Sequence, residues 1–166
     1  MRPEPGLPPS ARLGAELAAL LRGGNAHLDA ASILAGVPAG RINDRPDGLP
    51  HSLWDLLGHL HITQADILEF CRGDYAEKQW PADYWPDREG TEADWDAARD
   101  RFFADLDALV ALALDPEADL LAELDHAPGY TLLRELMLAA DHNAHHLGQV
   151  IALRRQLGLW PPPDTP

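Results

Sequence analysis

Leucine spacing organises most of the chain. Leu13, Leu17, Leu20 and Leu21 recur at helical intervals and predict a first helix from an N-cap at Ser10 to about Arg22, ended by Gly23-Gly24. A short helix over about Asp29–Ala35 precedes a loop, 36–50, rich in Pro, Gly, Asn and Asp. Leu53, Leu56, Leu57, Leu60, Ile67 and Leu68 form one apolar arc, which predicts a long helix from Ser52 to Arg72 stopped by Gly73. Thr91-Glu92-Ala93-Asp94 resembles a capping box with Asp in place of Glu, and Trp95, Phe102, Leu106 and Leu109 carry that helix to about Leu114. The last helix runs from about Thr131 to Leu157, with Gly158 after it and Pro161-Pro162-Pro163 blocking continuation. No segment alternates like a strand over a useful length. Four main helices with one short extra make an all-α bundle. Between the second and third long helices, Trp80-Pro81-Ala82-Asp83-Tyr84-Trp85-Pro86 is too bulky and apolar for a solvated linker and is expected to pack as a lid or clamp. Residues 1–9 and 161–166 are expected to be proline-rich tails, the first of them disordered, flanking a single domain over 10–160.

Polar residues on the inner faces carry the candidate chemistry. His142, His145 and His146 lie within five residues of one another. At about 100° per residue, His146 falls about 40° from His142, toward the apolar arc, while His145 falls about 60° the other way, toward Arg134 and Asp141. His142 and His146 therefore face the interior or its margin, and His145 faces solvent. On the Ser52–Arg72 helix, His59 sits at the edge of the leucine arc, with Thr63, Asp66, Ser52 and Asp55 within about 40° of it. His61 lies on the far side, near Trp54, and reads as a surface residue. Two facing helices can thus present His59, His142 and His146 to one point. Three imidazoles hold a transition metal and leave a position open for water or substrate. Asp55 or Asp66 could orient a ring nitrogen from behind. The same pattern also suits hydrogen-bonded histidines at a core margin.

Composition narrows the function class. The net charge of −14 repels polyanions, so neither nucleic acid nor an anionic membrane is an expected partner. Arg154-Arg155 is the longest basic run in question, and it is short. No apolar run reaches the roughly 18 residues of a membrane span. The N-terminal stretch lacks a signal-peptide core, and the single Cys71 allows no intrachain disulfide. Both point to a cytoplasmic protein.

Two of these segments also look familiar. Trp54-Asp55-Leu56-Leu57-Gly58-His59-Leu60 resembles the second-helix signature of the DinB/YfiT-like superfamily. Asp141-His142-Asn143-Ala144-His145-His146-Leu147-Gly148-Gln149-Val150 resembles its last-helix signature, followed by Leu153-Arg154-Arg155. The resemblance covers about residues 11–160. It implies an up-down-down-up four-helix bundle, often dimeric, in which three histidines bind a divalent metal such as zinc or nickel. By motif position these are His59, His142 and His146, the set the helical wheel selects. Position 145 is aromatic in the family, often tyrosine, so His145 departs from the pattern and leaves a second or alternative ligand open. Characterised relatives include metal-dependent transferases and isomerases that use low-molecular-weight thiols such as bacillithiol or mycothiol.

The resemblance therefore implies a thiol S-transferase acting on a small molecule. A metal holds a thiol as thiolate, the nucleophilic form. Arg154 and Arg155 are candidate partners for the thiol's carboxylates, although Arg155 points away from the histidine face. Hydrolysis by metal-activated water is the neighbouring possibility. A non-enzymatic metal- or ligand-binding protein of a stress response is the alternative outside catalysis.

Overall fold

The computed structural model describes residues 8–162. Its long helices are α1 (Pro9–Arg22), α3 (Leu53–Arg72), α4 (Glu92–Leu114) and α5 (Leu132–Gln156), with a short α2 (Ala30–Leu34) after α1. Among the described residues the fold is all-α apart from one small hairpin. Local chemistry sets the boundaries. Ser52 and Asp55 close a reciprocal capping box at the start of α3, and Thr91 and Asp94 do the same for α4. The Thr131 side chain caps α5. Gly73 ends α3 in the left-handed conformation that glycine adopts without a Cβ penalty.

Three expectations change. The first helix begins at Pro9, so Ser10 lies inside it and makes no cap. Proline suits a first turn, where its missing N–H had no helical partner to lose. Position 9 of the expected N-terminal tail is therefore helical; positions 1–7 and 163–166 of the two expected tails lie outside the described residues. Third, a two-stranded antiparallel hairpin, β1 (Glu123–Leu124) and β2 (Ala127–Thr131), precedes α5. Its first strand is two residues long, too short to show alternation. A histidine fastens it: His126 Nε2 donates to the Phe70 carbonyl at the end of α3 (2.8 Å).

Both α3 and α1 pack against α4 and α5, which places α3 diagonally across from α1. Phe102, Leu57, Leu60, Leu109, Leu136 and Val150 are fully enclosed between them. The α1–α4 crossing is close enough that a Cβ at Gly14 would stand 2.2 Å from the Ala113 carbonyl oxygen. One polar chain crosses the core. Gln64 on α3 donates to the Phe102 carbonyl on α4 (2.6 Å) and accepts from Asn143 Nδ2 on α5 (2.6 Å). This ties three helices together little more than a turn after His59 and right beside His142, and so fixes the two helices that carry the histidines. No helix among the described residues is long and apolar enough to cross a membrane.

Candidate metal centre

His59 on α3 meets His142 and His146 on α5. Ring centroids stand 4.9 Å apart for His59–His142, 4.5 Å for His59–His146 and 4.5 Å for His142–His146. One ring nitrogen from each can be chosen so that all three lie within 4.8 Å of one another. His59 Nε2 and His142 Nε2 are 3.1 Å apart. Ligands about 2.0–2.1 Å from a tetrahedral ion stand about 3.4 Å from one another, so small ring movements would close the set. Among the described residues no Asp, Glu or Cys joins the group.

The second nitrogen of each ring shows how the lone pairs are aimed. His59 Nδ1 donates to the Tyr84 carbonyl (2.7 Å), which leaves Nε2 bare and facing its partners. His146 Nδ1 donates to Gln149 Oε1 (2.7 Å), with the same consequence. His142 Nδ1 is buried without a hydrogen-bond partner, and so is Asn143 Oδ1 beside it. One proton between the two Nε2 atoms would have to sit on His142 Nε2, which leaves His142 Nδ1 a bare acceptor buried beside the unpartnered Asn143 oxygen, itself an acceptor. A cation between the rings resolves this. It would take the lone pairs and make His142 Nδ1 a donor, with the unpartnered Asn143 oxygen next to it as acceptor. The residues present therefore fit a transition metal held by neutral imidazoles.

Electrostatics agree. Burial, then the proximity of His146 and His59, pushes His142 down to about 3, against a smaller pull from Asn143 the other way. Burial pushes His146 down to about 4, opposed by Gln149. His59 is lowered by burial, opposed by the Tyr84 carbonyl. All three rings are neutral at ordinary pH, the form that binds metal.

The sequence model of the DinB superfamily matches residues 25–150, which include all three histidines. The chain belongs to the DinB superfamily. No curated protein and no solved structure matches it.

The loop between α3 and α4 encloses this DinB-superfamily site. Trp85 stacks on His59 (centroids 4.0 Å, planes 4° apart) and on His51 behind it (4.0 Å, 7°). Trp80 presents an edge to His59 at 6.3 Å. Asp66 anchors the loop, accepting from Lys78 Nζ (2.7 Å) and from the Tyr84 hydroxyl (2.8 Å). Asp66 thus reaches His59 through Tyr84, whose carbonyl holds the ring. Asp55 does not reach a ring nitrogen. It completes the Ser52 capping box and pairs with Arg45 (2.9 Å). The position at 58 keeps the loop close, since a Cβ there would stand 2.3 Å from Pro86 Cγ.

His145 is exposed, as the wheel places it. It touches His146 edge-on at 4.8 Å and takes a 3.3 Å contact from Gln149, but stands outside the group of three. His61 is half-buried rather than on the surface. It faces Arg101 and Asp105 on α4, its Nδ1 is buried, and burial lowers its pKa. Arg154 is fully buried and donates to the Ile33 and Leu159 carbonyls, so it braces α2 and the chain after α5 instead of awaiting a substrate carboxylate. His51 and the Tyr84 carbonyl are the site components that sequence reasoning missed. A carbonyl has no sequence signature, and His51 lies outside any helical face.

Proposed function

We propose that this protein binds one divalent metal, zinc or nickel first, through His59, His142 and His146, and uses it to transfer the sulfur of a low-molecular-weight thiol to an electrophile. The observation that carries this reading is the convergence of three neutral imidazoles, two of them with Nδ1 already committed to an acceptor. When bound, the ion supplies Lewis acidity that lowers the pKa of a thiol or water at the remaining position. The transfer balances simply. The thiol sulfur forms a new bond to carbon, the leaving group departs with its electron pair, and the thiol proton passes to solvent. The chain's part is to hold three nitrogens in place and to exclude water from His59 with Trp85.

Thiol transfer is favoured over hydrolysis because, among the described residues, no carboxylate joins the three histidines as a general base. Asp55 is spent in a cap and Asp66 on Lys78 and Tyr84. A thiol, whose ordinary pKa is far below that of water, needs no such base once the metal lowers it further. Three neutral ligands also leave the ion's charge uncompensated, which suits an anionic sulfur. The packing of α3 and α1 against both α4 and α5 supports the up-down-down-up order. Homodimerisation and a role in stress response enter this reading from the family alone and a cytoplasmic location from the sequence, and light scattering at micromolar concentration checks the first.

Elemental analysis of purified protein is the first test, with one equivalent of metal expected and its loss in His142→Ala. The second is conjugation of cysteine, bacillithiol or mycothiol to 1-chloro-2,4-dinitrobenzene, expected to depend on metal and on His142. Substoichiometric metal that His142→Ala does not lower would sink the metal site. Full metal with no thiol-dependent rate would sink the transferase reading and leave a non-enzymatic binding role.

A further inference from the structure

Trp80 is the anomaly beside His59. It is 70% exposed, the most exposed of the large apolar side chains among the described residues. Single exposed apolar residues are ordinary. This one belongs to a loop fixed at several points. Lys78 two residues before it and Tyr84 four residues after it are both bound to Asp66, and the Asp83 carboxylate accepts from the Gln79 amide (2.8 Å). The Trp80 ring leans on Tyr84 at 5.7 Å and reaches to 6.3 Å from His59. The indole is therefore held beside the candidate metal with most of its surface in water.

The neighbouring groups say what that surface can take. The rings recorded around His59 are Trp80, Trp85, His142 and His146. The basic side chains tied to this region are already paired: Lys78 with Asp66 and Glu69, Arg45 with Asp55. Arg154 is enclosed elsewhere. The chain as a whole carries −14. Among the described residues, a carboxylate or phosphate on a group lying over Trp80 would find Lys78 and Arg45 already paired. A flat π-system would find an exposed indole face, and aromatic pairs of this kind favour offset or edge contact at about 4.5–7 Å between centroids.

We propose that Trp80 is a specificity-determining residue, forming a platform for a flat aromatic or heteroaromatic group of the electrophile, free of carboxylate and phosphate, beside the thiol sulfur that the metal would hold. This rests on the metal reading above and narrows its electrophile to a chemical class.

Cobalt-loaded protein tests it without knowledge of the reaction. Imidazole and 4-phenylimidazole share one metal-binding head and differ by one aromatic ring. Their binding is read from the visible cobalt spectrum, and cobalt content is measured for each variant. We expect 4-phenylimidazole to bind about 10-fold tighter than imidazole, an aromatic contact of ordinary strength. Trp80→Ala is expected to bring the two within about 2-fold at unchanged cobalt content, and Trp80→Phe to keep most of the preference. A carboxylate on the phenyl ring is expected to erase the gain. If cobalt is bound stoichiometrically and Trp80→Ala leaves the ratio unmoved, or the carboxylated probe binds tighter still, this inference fails alone. If the wild-type protein takes up no cobalt, the metal reading fails and this falls with it.

Discussion

Gly58→Ala separates the stability of the helix from the orientation of the site. Gly58 sits inside α3, next to His59, where alanine would ordinarily stabilise by about 1 kcal/mol through helix propensity. Here the new Cβ would lie 2.3 Å from Pro86 Cγ and 3.0 Å from Pro86 Cδ. Carbon atoms prefer about 3.5–4.0 Å, so the proline ring, which cannot rotate aside, must retreat by more than about 1 Å. Overpacking of that kind costs about 1–3 kcal/mol. The net effect on folding is a loss of about 0–2 kcal/mol, small because propensity and clash oppose each other.

The effect on the site is larger in proportion. Pro86 is bonded to Trp85, which stacks at 4.0 Å on His59, and Tyr84 precedes that, its carbonyl 2.7 Å from His59 Nδ1. A shift of about 1 Å takes that hydrogen bond beyond its range and forfeits a good part of the stacking contact. Losing the group that orients a metal-binding histidine typically costs about 10–100-fold in metal affinity. We therefore expect Gly58→Ala to weaken metal binding by at least about 10-fold with a melting temperature within a few degrees of wild type. Chelator competition measures the first and calorimetry the second. Gly148→Ala is the matched control. It lies on α5 between His146 and Gln149, its Cβ would meet nothing within 4 Å, and it should gain stability at unchanged metal affinity. Wild-type affinity in Gly58→Ala would refute the idea that the loop holds His59.

Asp66→Asn should loosen Lys78 and weaken the acceptor for Tyr84, lowering metal affinity by less than about 10-fold because the residue acts through the loop and not on the ring; an effect as large as that of Gly58→Ala would mean that Asp66 acts more directly. Gln64→Leu leaves Asn143 Nδ2 buried without its partner, while the Phe102 carbonyl keeps its bond within α4, and should cost about 1–3 kcal/mol in urea denaturation; a loss below that range would show that water replaces the amide. Acid should destabilise the metal-free protein. His142 and His146 have folded values of about 3 and about 4, below the ordinary 6.5, so the unfolded chain takes up protons first. Their contribution is intact above about pH 6.5 and declines as pH falls toward 4, by at most about 1.4 kcal/mol per pH unit for each ring and less where water screens them. A melting temperature unchanged between pH 7 and pH 5, or an equal decline in the double variant His142→Ala/His146→Ala, would remove these rings as the cause.

The limits of sequence reading here follow from what a helical wheel contains. It records angle, and angle alone brought His59, His142 and His146 together, because i, i+4 spacing on a straight helix fixes a shared face whatever the partner helix does. Helix boundaries were legible for a similar reason: Ser52, Thr91 and Thr131 cap through bonds to residues three positions on. The wheel has no axial coordinate. Asp55 falls within about 40° of His59 but lies a full turn before it, where the third position of the helix draws its carboxylate back to the cap. The wheel also assumes one buried arc. α3 packs on α4 and α5 and lies under the 73–90 loop as well, so Trp54 is buried and its neighbour His61 half-buried on a side that reads as solvent. Arg154 shows the same failure for charge, since its guanidinium is fully buried against carbonyls that belong to other parts of the chain. The groups that hold His59, the Tyr84 carbonyl and the Trp85 ring, depend on a long loop folding back across a helix. That path is fixed by Asp66, Lys78 and the missing side chain at 58 acting together, and none of the three signals it alone.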